Sequence, residues 1–126
     1  MSTLRRMTTE SEASRTTLNL NEGGLWAIKS SSPSVIYLDL KKKMLLRVPG
    51  PGSPAWEYDG VWVPLAAVED HGGPVEEVTV GVRHVYLTDP DGGSRPYQWW
   101  SPRACTSIEP VQRDTLPTLD SRARPR

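Results

Sequence analysis

Apolar residues in the middle of this chain recur at every second position, in short runs separated by turn residues. Trp26 and Ile28 share one parity of Leu25-Trp-Ala-Ile-Lys-Ser. In Ser34-Val-Ile-Tyr-Leu-Asp-Leu, Ile36, Leu38 and Leu40 share one parity and Val35, Tyr37 and Asp39 the other, and Met44, Leu46 and Val48 alternate in the run that follows. Period-two alternation sends successive side chains to opposite faces of a strand. The runs therefore predict strands at 25–30, 34–40 and 44–48, with a turn at Ser30 to Pro33 and Lys41 to Lys43 at a hairpin tip. Val61 to Glu69 predicts a fourth strand. Pro64 has no N–H to give to a ladder, which makes this strand an edge or a bulged one. His71 to Pro74 reads as a turn. Val75 to Thr88 is the longest β-like stretch, and Gly81 within it marks a bulge or a sharp bend. Asp89-Pro-Asp-Gly-Gly-Ser is a strong turn signal. Pro96 to Trp100 and Ala104 to Ile108 close the series.

About six to eight short strands at regular spacing predict an all-β domain, a small SH3-like or OB-like barrel or sandwich, over residues 22–112. Composition agrees. Ten of the eleven valines lie between Val35 and Val85, and every glycine, tryptophan and tyrosine lies between Gly23 and Trp100. Phe is absent, so Val, Leu and Trp must fill the interior. Residues 1–21 are rich in Ser, Thr, Glu and Arg and read as a disordered N-terminal arm, because such a segment buries too little surface to offset its ordering entropy. Residues 113–126 alternate Arg, Pro, Thr and Asp and read as a disordered basic tail.

The formal charge of zero is unevenly placed: the arm carries +1, the tail +2 and the middle −3, from 8 basic against 11 acidic residues. Tight binding to duplex nucleic acid depends on many phosphate contacts, so a domain of this charge is poorly suited to it. Cys105 is the single cysteine. It allows no intramolecular disulfide, which fits a reducing cytoplasm. Met1 to Arg15 shows no apolar core of a secretory leader. The longest mostly apolar run, Val61 to Val68, is too short to span a bilayer and is broken by Pro64, so no membrane partner is expected.

Candidate chemistry is sparse. Pro49-Gly-Pro-Gly-Ser-Pro opens a long irregular loop that delivers Trp56 and Tyr58 before the Asp59-Gly60 turn. On an exposed loop these rings would offer stiff contact area to a partner; alternatively Trp56 folds back as a lid on the end of the barrel. Trp99 and Trp100 are adjacent in a strand and must point to opposite faces. At least one fills the core, and the other is either covered by a tail or exposed, where with Arg95 and Arg103 nearby it could stack on unpaired bases. Lys41 to Lys43 either touch phosphates or form a solvated turn. His84 and Tyr86 share a strand face near Asp89, which admits acid–base chemistry, although an isolated strand histidine is normally structural. Cys105 would need a neighbouring base to act as a nucleophile. Two histidines and one cysteine without ligand spacing give no metal site, and no cofactor is expected. Asp89 to Ser94 lacks the spacing of a calcium loop.

The runs Trp26-Ala-Ile-Lys-Ser, Ser34-Val-Ile-Tyr-Leu-Asp-Leu and Leu46-Arg-Val-Pro-Gly resemble those of small β-rich proteins of actinobacteria and their phages. The likeness covers residues 24 to 50, carries no catalytic residues, and implies an accessory protein of a phage or mobile element. The expected function is a non-enzymatic protein-binding module, such as an inhibitor of a host factor, engaging a protein partner through Trp56, Tyr58, Trp99, Trp100, Arg95 and Arg103. The alternatives are a small β-barrel that binds single-stranded nucleic acid, and a virion structural or connector protein whose tails order on neighbouring copies. An enzyme built on His84, Asp89 or Cys105 is a further class, and it requires those groups to converge in one pocket.

Overall fold

A computed structural model describes residues 15–94 and 96–116. The fold is all-β. Its strands are β1 (Thr17–Asn19), β2 (Leu25–Ser30), β3 (Val35–Asp39), β4 (Met44–Val48), β5 (Val63–Asp70), β6 (Gly73–Val75), β7 (Glu77–Thr79), β8 (Val85–Thr88), β9 (Gln98–Trp100) and β10 (Cys105–Pro110), followed by a single 3₁₀ turn at Arg113–Thr115. An 8-stranded sheet runs in the order β10-β2-β3-β4-β5-β8-β9, with β6 added on β5, and β1 pairs with β7 in a 2-stranded sheet. Every pairing is antiparallel.

The predicted alternation sets the register of the first half. Trp26 pairs with Leu38 and Ile28 with Ile36, and Ile108 of β10 stands opposite Ile28. All five are buried, and with Leu40, Leu45, Val63, Val68 and Tyr86 they form one core. One strand departs from expectation. On β4 the core face carries Leu45 and Arg47, opposite Leu38 and Ile36, rather than Met44, Leu46 and Val48. A guanidinium thus faces inward, and a burial site for its charge has to be built around it. Leu46, on the opposite side of β4, is also fully buried.

The second half is more broken than the sequence predicts. Pro64 lies in an interior strand, and the irregularity it announces is a register shift between Leu65 and Ala67 on the side facing β8. The stretch 75–88 is not one strand but the end of β6, then β7 and β8, with Gly81 at a positive φ of 94° where the chain turns between the last two. Gly73 and Pro74, expected as part of a turn, join Val75 in pairing with Val68 to Asp70. The sheet does not close into a continuous ladder. Its β10 end is nonetheless occupied: Gly81 N–H donates to Cys105 O (2.8 Å), Cys105 N–H to Val82 O (3.0 Å) and Arg15 N–H to Ile108 O (2.9 Å).

Both expected tails contribute to the fold. Residues 15–21, assigned to a disordered arm, form β1 and its flanks, and Leu18 is completely buried against Val78 and the main core. Arg15 lies over the Trp26 ring at 4.9 Å and pairs with Glu22. The reason is one apolar position: Leu18 completes a core that Val78 alone leaves open on that side. Residues 1–14 lie outside the described residues. At the other end, Arg113 Nη2 reaches Asp39 Oδ2 at 2.7 Å and anchors the start of the basic tail. Residues 117–126 lie outside the described residues.

Candidate functional site

Two aromatic groups occupy the β9 end of the molecule, and they differ in exposure. The inner one is organised by Arg47. Its guanidinium Nη1 meets Asp59 Oδ1 at 2.5 Å, with both side chains nearly sealed from water, and its Nη2 donates to Pro54 O at 2.9 Å. The second Asp59 oxygen accepts the Trp56 backbone N–H at 2.9 Å, and Gly60 N–H donates to Arg47 O. The Trp100 ring lies under the Arg47 guanidinium at 3.9 Å, and Trp56 packs on Trp100 with centroids 5.8 Å apart and on Tyr58 at 5.5 Å, edge-on. A buried charge pair is tolerable only when its remaining donors and acceptors are satisfied. The loop 49–60 folds down to supply all of these but a partner for Arg47 Nε, with a carbonyl, a carboxylate and two backbone amides. Among the described residues, Arg47 Nε and Trp100 Nε1 are the buried side-chain donors left without a hydrogen-bond partner.

This arrangement decides the status of the loop. Trp56 and Tyr58, expected as exposed contact residues, are half-buried and packed against the core, so Trp56 takes the lid position. Trp100 likewise faces inward. Sequence reading missed Arg47 and Asp59, although a signal was present: an arginine inside the apolar run Met44-Leu-Leu-Arg-Val, and a single aspartate at the close of a loop with no other charge but Glu57.

The outer group lies on β9 itself. Trp99 is 63% exposed and Tyr97, just before the strand, 53%; they are the exposed large hydrophobic residues among those described. Trp99 stands opposite Leu87, and Leu87 opposite Ala67, so one apolar row crosses β5, β8 and β9 on the outer face and ends at the open edge. Of the basic residues expected beside these rings, Arg103 is exposed on the segment after β9, and Arg95 lies outside the described residues. Lys43 is not available at the hairpin tip, because its Nζ donates to Leu20 O and Asn21 Oδ1. Lys41 and Lys42 are exposed.

The titratable groups considered for chemistry are mostly inside. His84 and Tyr86 are buried with ring centroids 6.2 Å apart. Burial lowers the His84 pKa, and the charge of Asp70 only partly restores it. Its Nε2 accepts the Thr79 N–H at 3.3 Å. Burial raises the Cys105 pKa, only partly offset by the Ser107 backbone, and keeps the sulfur a thiol at neutral pH. The Asp89 carboxylate is committed to its own turn, accepting from Gly93 N–H at 2.8 Å. His84 also lines an open cavity of about 380 Å³ together with Asp70, Glu76, Glu77 and Asn19, a juxtaposition the sequence did not reveal because β5, β7 and β1 supply it. Among the described residues no group of three or more His, Cys, Asp or Glu is placed to hold a metal ion. No helix among them is long and apolar enough to cross a membrane. Compared with protein-family models, curated proteins and solved structures, the chain matches none.

Proposed function

We propose that this chain is a non-enzymatic protein-binding module whose contact surface is the outer face of β8 and β9. The observation that carries the proposal is the row Ala67, Leu87, Trp99 with Tyr97 beside it, ending on a strand that has no second neighbour among the described residues. Solvent-exposed tryptophan and tyrosine at the centre of an apolar patch are the residues that dominate contact energies between proteins. Trp56, Tyr58 and Trp100 serve as backing: they fix β9 from beneath through Arg47 and Asp59, so the surface is presented with little entropy left to lose on binding. The hydrogen bonds between Gly81, Val82 and Cys105, which bring the far strand of the sheet round to β8, support reading the fold as a small, interrupted barrel. The likeness to phage and actinobacterial β-rich proteins fits an accessory protein acting on a host factor or within a virion. A lone thiol kept protonated by burial suits a reducing cytoplasm.

The test is selection from a displayed library of random peptides on the immobilised chain. Selected sequences are expected to lose binding in Trp99→Ala and Tyr97→Ala while the melting temperature stays put. Selection that survives both changes refutes this surface. Quenching of Trp99 emission by single-stranded oligonucleotides, weakening steeply with salt, would instead favour the nucleic-acid reading.

A further inference from the structure

We infer that a second copy of this chain docks on the β9 edge, by antiparallel pairing of β9 with itself about a two-fold axis through Gln98. The inference rests on reading the Trp99 surface as a protein contact and names the partner.

The two ends of the large sheet are treated differently. The outer side of β10 exchanges hydrogen bonds with the backbone of Gly81, Val82 and Arg15, whereas β9 has no neighbour beyond β8 among the described residues. Natural sheets blunt their open edges with lysine, a bulge or a cover. Among the described residues none of these protects β9, and its most exposed side chain is a tryptophan.

The backbone is aimed outward at the same two residues. Thr88 stands opposite Gln98, and its Oγ1 donates to Gln98 O at 3.0 Å. The Gln98 carbonyl therefore faces β8. Along a strand the N–H and C=O groups of successive residues point to alternate sides, so those of Tyr97 and Trp99 face the open edge. An antiparallel partner centred on Gln98 sets Tyr97 of each copy against Trp99 of the other. Both resulting pairs are of the hydrogen-bonded kind, and both bring an exposed aromatic ring beside another, an arrangement that stabilises sheets. Pro96, which has no N–H, then falls opposite Trp100 at a position where the ladder asks for none.

Charge agrees with the antiparallel sense. The stretch 89–95 carries Asp89, Asp91 and Arg95, net −1, while the segment after β9 carries Arg103, with Arg83 held beside it through its bond to Pro102 O. A two-fold axis brings the basic end of one copy to the acidic turn of the other, as a self-complementary interface requires. A parallel pairing would set like against like. An edge this short buries less than a standard interface, so the dimer is expected to form only at raised concentration.

Sedimentation velocity of the full chain across a wide concentration series tests the inference. The mass is expected to rise from 14.0 kDa toward twice that value, and to stay at the lower value throughout in Trp99→Lys, with Trp99→Phe restoring the rise. Hydrogen exchange of the wild-type chain gives a readout that needs no variant: the Tyr97 and Trp99 amides are expected to gain protection with concentration, while the Gln98 and Trp100 amides, already paired to β8, do not change. A single 14.0 kDa species at every concentration, or a dimer in which Tyr97 and Trp99 amides exchange as in the monomer, overturns the inference. A monomer that still selects peptides through Trp99 overturns self-pairing alone and leaves the protein-contact reading in place.

Discussion

Arg47 and Asp59 meet inside the protein, guanidinium Nη1 to carboxylate Oδ1 at 2.5 Å, and the contact closes the proline- and glycine-rich loop between them. Neither charge has enough water to stand alone. Asp59→Ala removes the counter-charge and the acceptor of the Trp56 N–H together, and is expected to cost about 3–5 kcal/mol, the range for breaking a buried pair. Replacing both charges, Arg47→Met with Asp59→Leu, is expected to cost far less than the sum of the single changes, since no uncompensated charge remains. Urea denaturation of the three variants measures this. A loss below about 1 kcal/mol in Asp59→Ala would mean that the pair behaves as a solvated one.

The ladder from β2 to β4 was legible because a half-buried antiparallel sheet writes itself as alternation. Trp26, Ile28, Ile36 and Leu38 all face the core as their parity demands. The same rule failed on β4, where apolar residues occupy both parities and alternation cannot say which is inside. There the arginine looked outward by type and faces inward by register. The aromatic residues divided along the same line. Adjacent tryptophans in a strand must point opposite ways, which held for Trp99 and Trp100, but which one is outside depends on where Arg47 sits. For Trp56 the choice between exposed contact and lid stayed open for a related reason: a loop sequence shows its rings but not the buried charge that draws the loop down. The arm was misjudged because a three-residue strand with one buried leucine leaves almost no compositional trace.

That leucine gives a second test. Leu18 has no exposed surface and packs with Val78 under the main sheet. Leu18→Ala is expected to lower stability by about 2–5 kcal/mol, as for other fully buried leucines, and a chain begun at Glu22 should lose at least as much. A truncation with an unchanged melting curve would restore residues 15–21 to the status of a tail.

Acid should weaken the fold through His84. Burial holds its pKa below the ordinary 6.5, with Asp70 opposing only in part. In the unfolded chain the imidazole regains the ordinary value, so between 6.5 and the lower folded pKa the unfolded state binds more protons. Stability is therefore complete above 6.5 and falls as pH drops below it. The chemical-denaturation midpoint is expected to decline as pH falls below about 6.5 in the wild type and to decline less in His84→Gln. Asp39 acts in a lower window. Burial alone would raise its pKa, but hydrogen bonds from Arg113 and the Lys42 N–H hold it below the ordinary 3.8, so its contribution is lost only under stronger acid. Equal slopes for wild type and His84→Gln near pH 6 would place the proton uptake elsewhere.

The two aromatic groups should separate cleanly on substitution, in the opposite sense to that expected from the loop sequence. Trp56 packs on Trp100 and Tyr58 at the edge of the core, so Trp56→Ala opens a gap above the Arg47 pair; a loss of about 2 kcal/mol is expected from the apolar surface it uncovers. Trp99 is 63% exposed, and Trp99→Ala should change stability by no more than about 0.5 kcal/mol. Fluorescence distinguishes the pair independently. Trp99 in contact with water supplies the long-wavelength emission that iodide quenches, so its removal should leave a blue-shifted, poorly quenched spectrum, whereas removal of Trp56 should leave the quenchable component intact. If Trp99→Ala unfolds the chain while Trp56→Ala is harmless, the inner and outer roles are reversed, and the binding surface must be sought on the loop.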